Sequence, residues 1–191
     1  MVLFASLAGW KLCRTKTKLS GFIFGMFVFS MLIPFSSVMI PLYKVVLGLG
    51  IKNSLVGLSL IYAGMGESMA IFIYHGFVKS IPVEMEEAAK IDGCSDIQLF
   101  FRIVLPMLKP TTATICITNI RWVWNDFLLP LIVLSDSKKY TLLISTNTLF
   151  GQYSSDWAAI LSALILAALP AVILYIAFQK QIIGGITDGA V

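Results

Sequence analysis

The chain alternates long apolar runs with short polar ones. A helix needs roughly 20 apolar residues to cross a bilayer, and four runs meet that length. Gly21–Tyr43 carries no charge but contains Pro34 and Pro41. Leu55–Val78 is interrupted by Glu67 and His75. Thr111–Leu134 holds Arg121 and Asp126, and Ala158–Phe178 holds Pro170. Proline inside such a helix predicts a kink. Gly57, Gly64 and Gly66 suit close helix contact. A shorter apolar run, Met1–Cys13, reaches only about 20 Å as a helix. It reads as the tail of a spanning helix whose beginning is absent.

Between the second and third runs the pattern changes. Residues 79–110 are charged and amphipathic. Pro82 suits a helix start, where its missing N–H is harmless, and Glu84, Glu86 and Glu87 suit the positive end of the dipole. Met85, Ala88, Ala89 and Ile91 offer a small apolar face. Asp92-Gly93 reads as a turn, with glycine free to take positive φ. Ser95 with Gln98 resembles a capping box, so a second helix starts there. Ile97, Phe100, Phe101 and Val104 follow as an apolar stripe at helical spacing, and Leu105-Pro106 is expected to end it. The segment is thus helix, turn, helix. Its acidic first helix argues against a headgroup-lying helix, whose polar face is usually basic, and for a protein-docking element.

Composition fixes the solvent. Of 191 residues, 58% are hydrophobic and 13% charged, with mean hydropathy +0.90. Soluble domains are about a quarter charged, so the predicted fold is all-α, a polytopic transmembrane helical bundle. Residues 1–191 form one partial transmembrane domain with spans near 21–43, 55–78, 111–134 and 158–178. Lys11, Arg14, Lys16, Lys18, Lys79, Lys90, Arg102, Lys109 and Lys180 fall on one side; Lys44, Lys52, Lys138 and Lys139 fall on the other. The richer side is cytoplasmic. The helix-turn-helix therefore faces inward, and loops Lys44–Ser54 and Ser135–Trp157 face outward. The net charge of +4 is spread without a basic stripe, which argues against nucleic acid. Cys13, Cys94 and Cys116 lack metal-ligand spacing.

One His and isolated acids make an intramembrane enzyme a weak reading. A passive channel or scaffold has no need of an acidic helix-turn-helix. Within the third span, Arg121 and Asn125 are four apart, and Asn119, Trp122 and Asp126 fall near one helical face. This polar arc either lines a polar path through the bundle or joins helices.

The segment resembles the EAA loop of bacterial ATP-binding-cassette importer permeases: Glu87, Ala88, Ala89, then Gly93, Ile103, Leu105 and Pro106, every spacing met. "SLAGWKLCR", "IPFSSVMIPLY", "WNDFLLPLIVL" and "GGITDGAV" extend the resemblance to sugar importers of the maltose-permease type, second permease subunit. The family usually has six spans, so the resemblance implies that one span and half of the next are missing at the front. The resemblance also implies a multi-pass subunit of the bacterial cytoplasmic membrane that passes carbohydrate inward. Its partners would be a second homologous permease, ATP-binding subunits and an extracytoplasmic solute-binding protein. The helix-turn-helix, with Asp92 at its turn, would be the cytoplasmic coupling loop that docks the ATPase. No G-x-x-x-x-G-K-[ST] run is present, so this chain is expected to bind no cofactor itself, and the resemblance implies that ATP is hydrolysed by the partners. The outward loop, apolar from Leu142 to Phe150, either lies near the docked binding protein or packs as a surface or re-entrant segment. Two alternatives stay open: an importer permease for a non-sugar solute, and a non-transporting scaffold or fragment.

Overall fold

The apolar runs wind into helices, and among the described residues every regular element is helical. The computed structural model describes residues 1–150 and 156–187, excepting the side chains of residue 174 and of residues 177–187. Asp188–Val191, the end of the closing motif, lie outside the described residues. In order, the helices are α1 (Val2–Arg14), α2 (Lys18–Met31), α3 (Phe35–Gly48), α4 (Leu55–Val78) and α5 (Val83–Ile91). Then come α6 (Asp96–Met107), α7 (Lys109–Trp124), α8 (Leu128–Val133), α9 (Leu142–Asn147) and α10 (Trp157–Thr187).

The run 21–43 is interrupted. α2 stops at Met31 and α3 starts at Phe35, because Pro34 lacks an N–H and biases Ile33 away from helical backbone. Pro41 is carried inside α3, and Pro170 inside α10. α4 has 24 residues, about 36 Å of helix, and by length and composition is sufficient alone to cross a bilayer. The run 111–134 also breaks. Asn125 Nδ2 donates to the Arg121 carbonyl (2.7 Å), and Asp126 Oδ1 accepts from Leu128 N (3.0 Å). Such side-chain bonds compete with the helical ladder, so α7 ends at Trp124 and α8 resumes at Leu128.

The chain divides into two compact units. One is built chiefly from Met1–Pro34 and Ala63–Cys116. Trp10, Ile71, Tyr74, Leu99, Phe100 and Val104 are among its core residues. α1 meets α4 at Gly9: a Cβ there would lie 2.7 Å from Tyr74 Cβ, 3.0 Å from His75 N and 3.2 Å from the Ile71 carbonyl oxygen. Only glycine permits that approach. Of the glycines expected to mediate helix contact, Gly57 packs against its own preceding loop at Ile51, and Gly64 faces open space. Further links in this unit are Ser30 Oγ donating to Ser68 Oγ (2.7 Å) and Phe24 stacked on His75 (3.7 Å between centroids). On α2, Leu19, Phe22, Met26 and Phe29 stand exposed at helical spacing, a face suited to lipid rather than water.

The other unit is built chiefly from Phe35–Tyr62 and Ile117–Gln179. Val46, Leu58, Leu129, Val133, Ile144 and Ile160 are buried in it. Its two outward-assigned loops are joined through Asn53. Asn53 N donates to the Val133 carbonyl (2.8 Å), and its Oδ1 accepts from Ser135 N and Asp136 N, both at 3.1 Å. Lys139 Nζ donates to the Asn53 carbonyl (2.7 Å). The residue has φ +55°, a left-handed conformation that asparagine tolerates better than most. The apolar stretch of the second loop includes α9, with Ile144 and Thr146 buried.

Candidate coupling and translocation sites

The helix-turn-helix forms as its local chemistry dictates. α5 begins directly after Pro82 and ends at Ile91. Gly93 has φ +83°. Ser95 N donates to Gln98 Oε1 (3.0 Å), and Gln98 N donates to Ser95 Oγ (3.3 Å), so the capping box is complete. Contrary to expectation, Leu105-Pro106 does not end the second helix. α6 runs on to Met107 by widening into π-helical turns over Phe100–Val104. Pro106 falls in the first positions of the closing turn, where the missing donor matters little.

The expected apolar faces are split. Ala89 is buried, whereas Met85, Ala88 and Ile91 point outward. Phe100 and Val104 join the core with Leu99, while Ile97 and Phe101 are exposed. Among the motif residues, Glu87, Ala88, Asp92, Gly93 and Pro106 are exposed, and Ile103 and Leu105 pack half-buried against the core. The element thus has an anchored base and an outer edge on which Ile91 (86% exposed) and Ile97 (72%) stand out.

The anchor is Glu86, only 5% exposed. Trp10 Nε1 donates to its Oε2 (3.0 Å), and Arg14 Nε donates to its Oε1 (2.8 Å). Arg14 Nη2 lies 2.8 Å from the same Oε1 and also donates to the Ile81 carbonyl (2.8 Å). Nearby, Lys11 Nζ donates to Asp96 Oδ2 (3.0 Å), and Lys90 lies 3.6 Å from Oδ1. The Lys11 hydrogen bond and charge, with that of Lys90, hold the exposed Asp96 carboxyl below the usual range. The sequence points Glu86, with Glu84 and Glu87, to the helix dipole and to the rim of a docking contact; the structure instead buries it against Trp10 and Arg14. The available signal was Trp10 and Arg14, four apart on one helical face.

In the other unit, Asp126 lies beyond the end of α7, so it does not continue the face of Asn119 and Trp122. It meets Trp122 through a residue the sequence did not single out. Tyr62 OH donates to Asp126 Oδ2 (2.8 Å), and the Tyr62 ring stands edge-on to Trp122 at 5.5 Å. Asn125 is turned back onto its own helix. Arg121 is exposed. Trp124 Nε1 donates to the Ala167 carbonyl (2.9 Å), tying α7 to α10.

Residues 1–187 match the family described as binding-protein-dependent transport system inner membrane component. The chain belongs to this family. It is therefore an inner-membrane transport component, not an enzyme. It is 40% identical over its whole length to the probable starch degradation products transport system permease AmyC of Thermoanaerobacterium thermosulfurigenes, covering 69% of that protein. It is 38% identical to the melibiose/raffinose/stachyose import permease MelC of Bacillus subtilis, and 34% to the multiple sugar-binding transport system permease MsmG of Streptococcus mutans. In both cases the whole chain aligns with 70% of the relative.

Proposed function

We infer that the chain is a permease subunit of an ATP-driven carbohydrate importer and that its helix-turn-helix docks a cytoplasmic ATP-binding subunit. One observation carries the docking reading: Ile91 and Ile97 project from a segment whose base is fixed in the core. Exposed isoleucines on a charged, capped element suit a protein groove better than lipid. Glu87, Ala88, Asp92 and Gly93 share that outer side. Carbohydrate as cargo rests on the names of the relatives. Tyr62, Trp122 and Asp126 offer an aromatic ring edge and a hydrogen-bonded carboxylate that suit sugar hydroxyls. Hydrolysis in the partner subunits, acting through the docked element, biases the permease between outward- and inward-open states. A second homologous permease and an extracytoplasmic binding protein complete the assembly.

The test is capture of the complex through a tag on its ATP-binding subunit. Ile91→Asp with Ile97→Asp is expected to weaken retention about 30-fold, as loss of a buried anchor does. Retention at the parent level, together with undiminished raffinose uptake, overturns the docking surface.

A further inference from the structure

We propose that Arg14 and Glu86 form a strut that makes the docking element and the end of α1 move as one body; this rests on the docking reading above. Five contacts carry it. Arg14 holds two points of one segment: the Ile81 carbonyl just before α5, and Glu86 on the first turns of α5. A planar guanidinium held at two points fixes an angle as well as a distance. One turn earlier on α1, Trp10 takes the second oxygen of Glu86, and its ring lies 5.6 Å from that of Phe100 on α6. Lys11 reaches Asp96 at the start of α6. The last turns of α1 thus grip both helices of the docking element through residues other than the exposed Ile91 and Ile97.

Burial explains why the grip is rigid. Glu86 is desolvated, so leaving its cation is far more costly than for a surface pair. A displacement imposed on Ile91 or Ile97 is passed to α1 before the pair separates. Arg14 and Glu86 are positioning residues: they touch neither cargo nor nucleotide, and act by holding the surface that receives the stroke.

The test uses the importer complex captured through its ATP-binding subunit, with Cys13, Cys94 and Cys116 replaced by serine. Nitroxides are placed at Leu7→Cys on α1 and Val83→Cys at the start of α5, both partly exposed. Pulsed electron resonance then reads the distance between them, without nucleotide and with ATP plus vanadate. The strut predicts one narrow distance, unchanged by ATP. Glu86→Gln should add a second population whose share changes about two- to thirty-fold with ATP, the range for altered coupling elements. Arg14→Lys keeps the cation but loses the fork, and should fall between the two. It also serves as the second variant if Glu86→Gln does not insert. A parent distance that itself shifts with ATP overturns the proposal, as does a narrow, ATP-insensitive distance in both variants. Failure of the unsubstituted chain to be captured refutes the docking reading, and the strut with it. Capture of the complex, with both variants keeping the narrow, ATP-insensitive distance of the parent, refutes the strut alone.

Discussion

Gly9→Ala adds one methyl where α1 crosses α4. The new carbon would stand 2.7 Å from Tyr74 Cβ, 3.0 Å from His75 N and 3.2 Å from the Ile71 carbonyl oxygen. None of these atoms is the free end of a flexible side chain, so the helices must separate or bend. Overpacking of this kind costs about 1–3 kcal/mol. Replacing glycine by alanine within a helix also contributes about 1 kcal/mol of favourable propensity. Gly25→Ala supplies the control: it lies inside α2 with nothing within 4 Å of a new Cβ. The difference between the two variants isolates the steric penalty. For a chain of this size, 1 kcal/mol shifts the midpoint by about 2–4 °C, which places Gly9→Ala about 2–12 °C below Gly25→Ala. Thermal unfolding in detergent, followed by tryptophan fluorescence, measures it. Equal midpoints, or a higher one for Gly9→Ala, would refute the close approach of α1 and α4.

At Asn53, replacement by Gly keeps the left-handed backbone but removes the acceptor for Ser135 N and Asp136 N. It should lower stability by about 1–3 kcal/mol, and Asn53→Ala by about 1–2 kcal/mol more, from backbone strain; an equal loss for both in denaturant titration would contradict the strain. Asp96 gives a pH signature. Its carboxyl is depressed in the folded chain by Lys11 and then Lys90, so its contribution is complete above the unfolded carboxylate value of about 3.9. It is lost as pH falls through the lower folded value. The hydrogen-exchange protection factor at the start of α6, corrected for intrinsic exchange, should fall in that acidic window and stay flat from pH 5 to 7, and Asp96→Asn should remove the step. A step near neutral pH would contradict the Lys11 and Lys90 partnership.

The helices, the turn at Gly93 and the capping box at Ser95 were legible because each depends on neighbouring residues. Pro34 was legible as a perturbation but not as a full stop, since Pro41 and Pro170 are carried within helices. The end of α7 was not legible: an apolar run hides Asn125 and Asp126 diverting backbone donors and acceptors. For the same reason the helical face drawn through Asn119, Trp122 and Asp126 stops short of its last member. Glu86 and Glu87 are adjacent and chemically alike, yet one is buried and the other exposed. Only the partners Trp10 and Arg14, more than seventy residues away, separate them. Tyr62 carried no signal, because a tyrosine in an apolar run reads as packing until its hydroxyl finds Asp126.

The most direct measurement places a photo-reactive side chain at Ile97 in living cells and identifies what it captures. Docking of this element on the energy-supplying subunit predicts an adduct with that subunit, lost when Gly93→Pro disrupts the turn. Adducts with lipid or with an extracytoplasmic protein, or modification of Ile97→Cys by an impermeant thiol reagent added outside the cell, would contradict it.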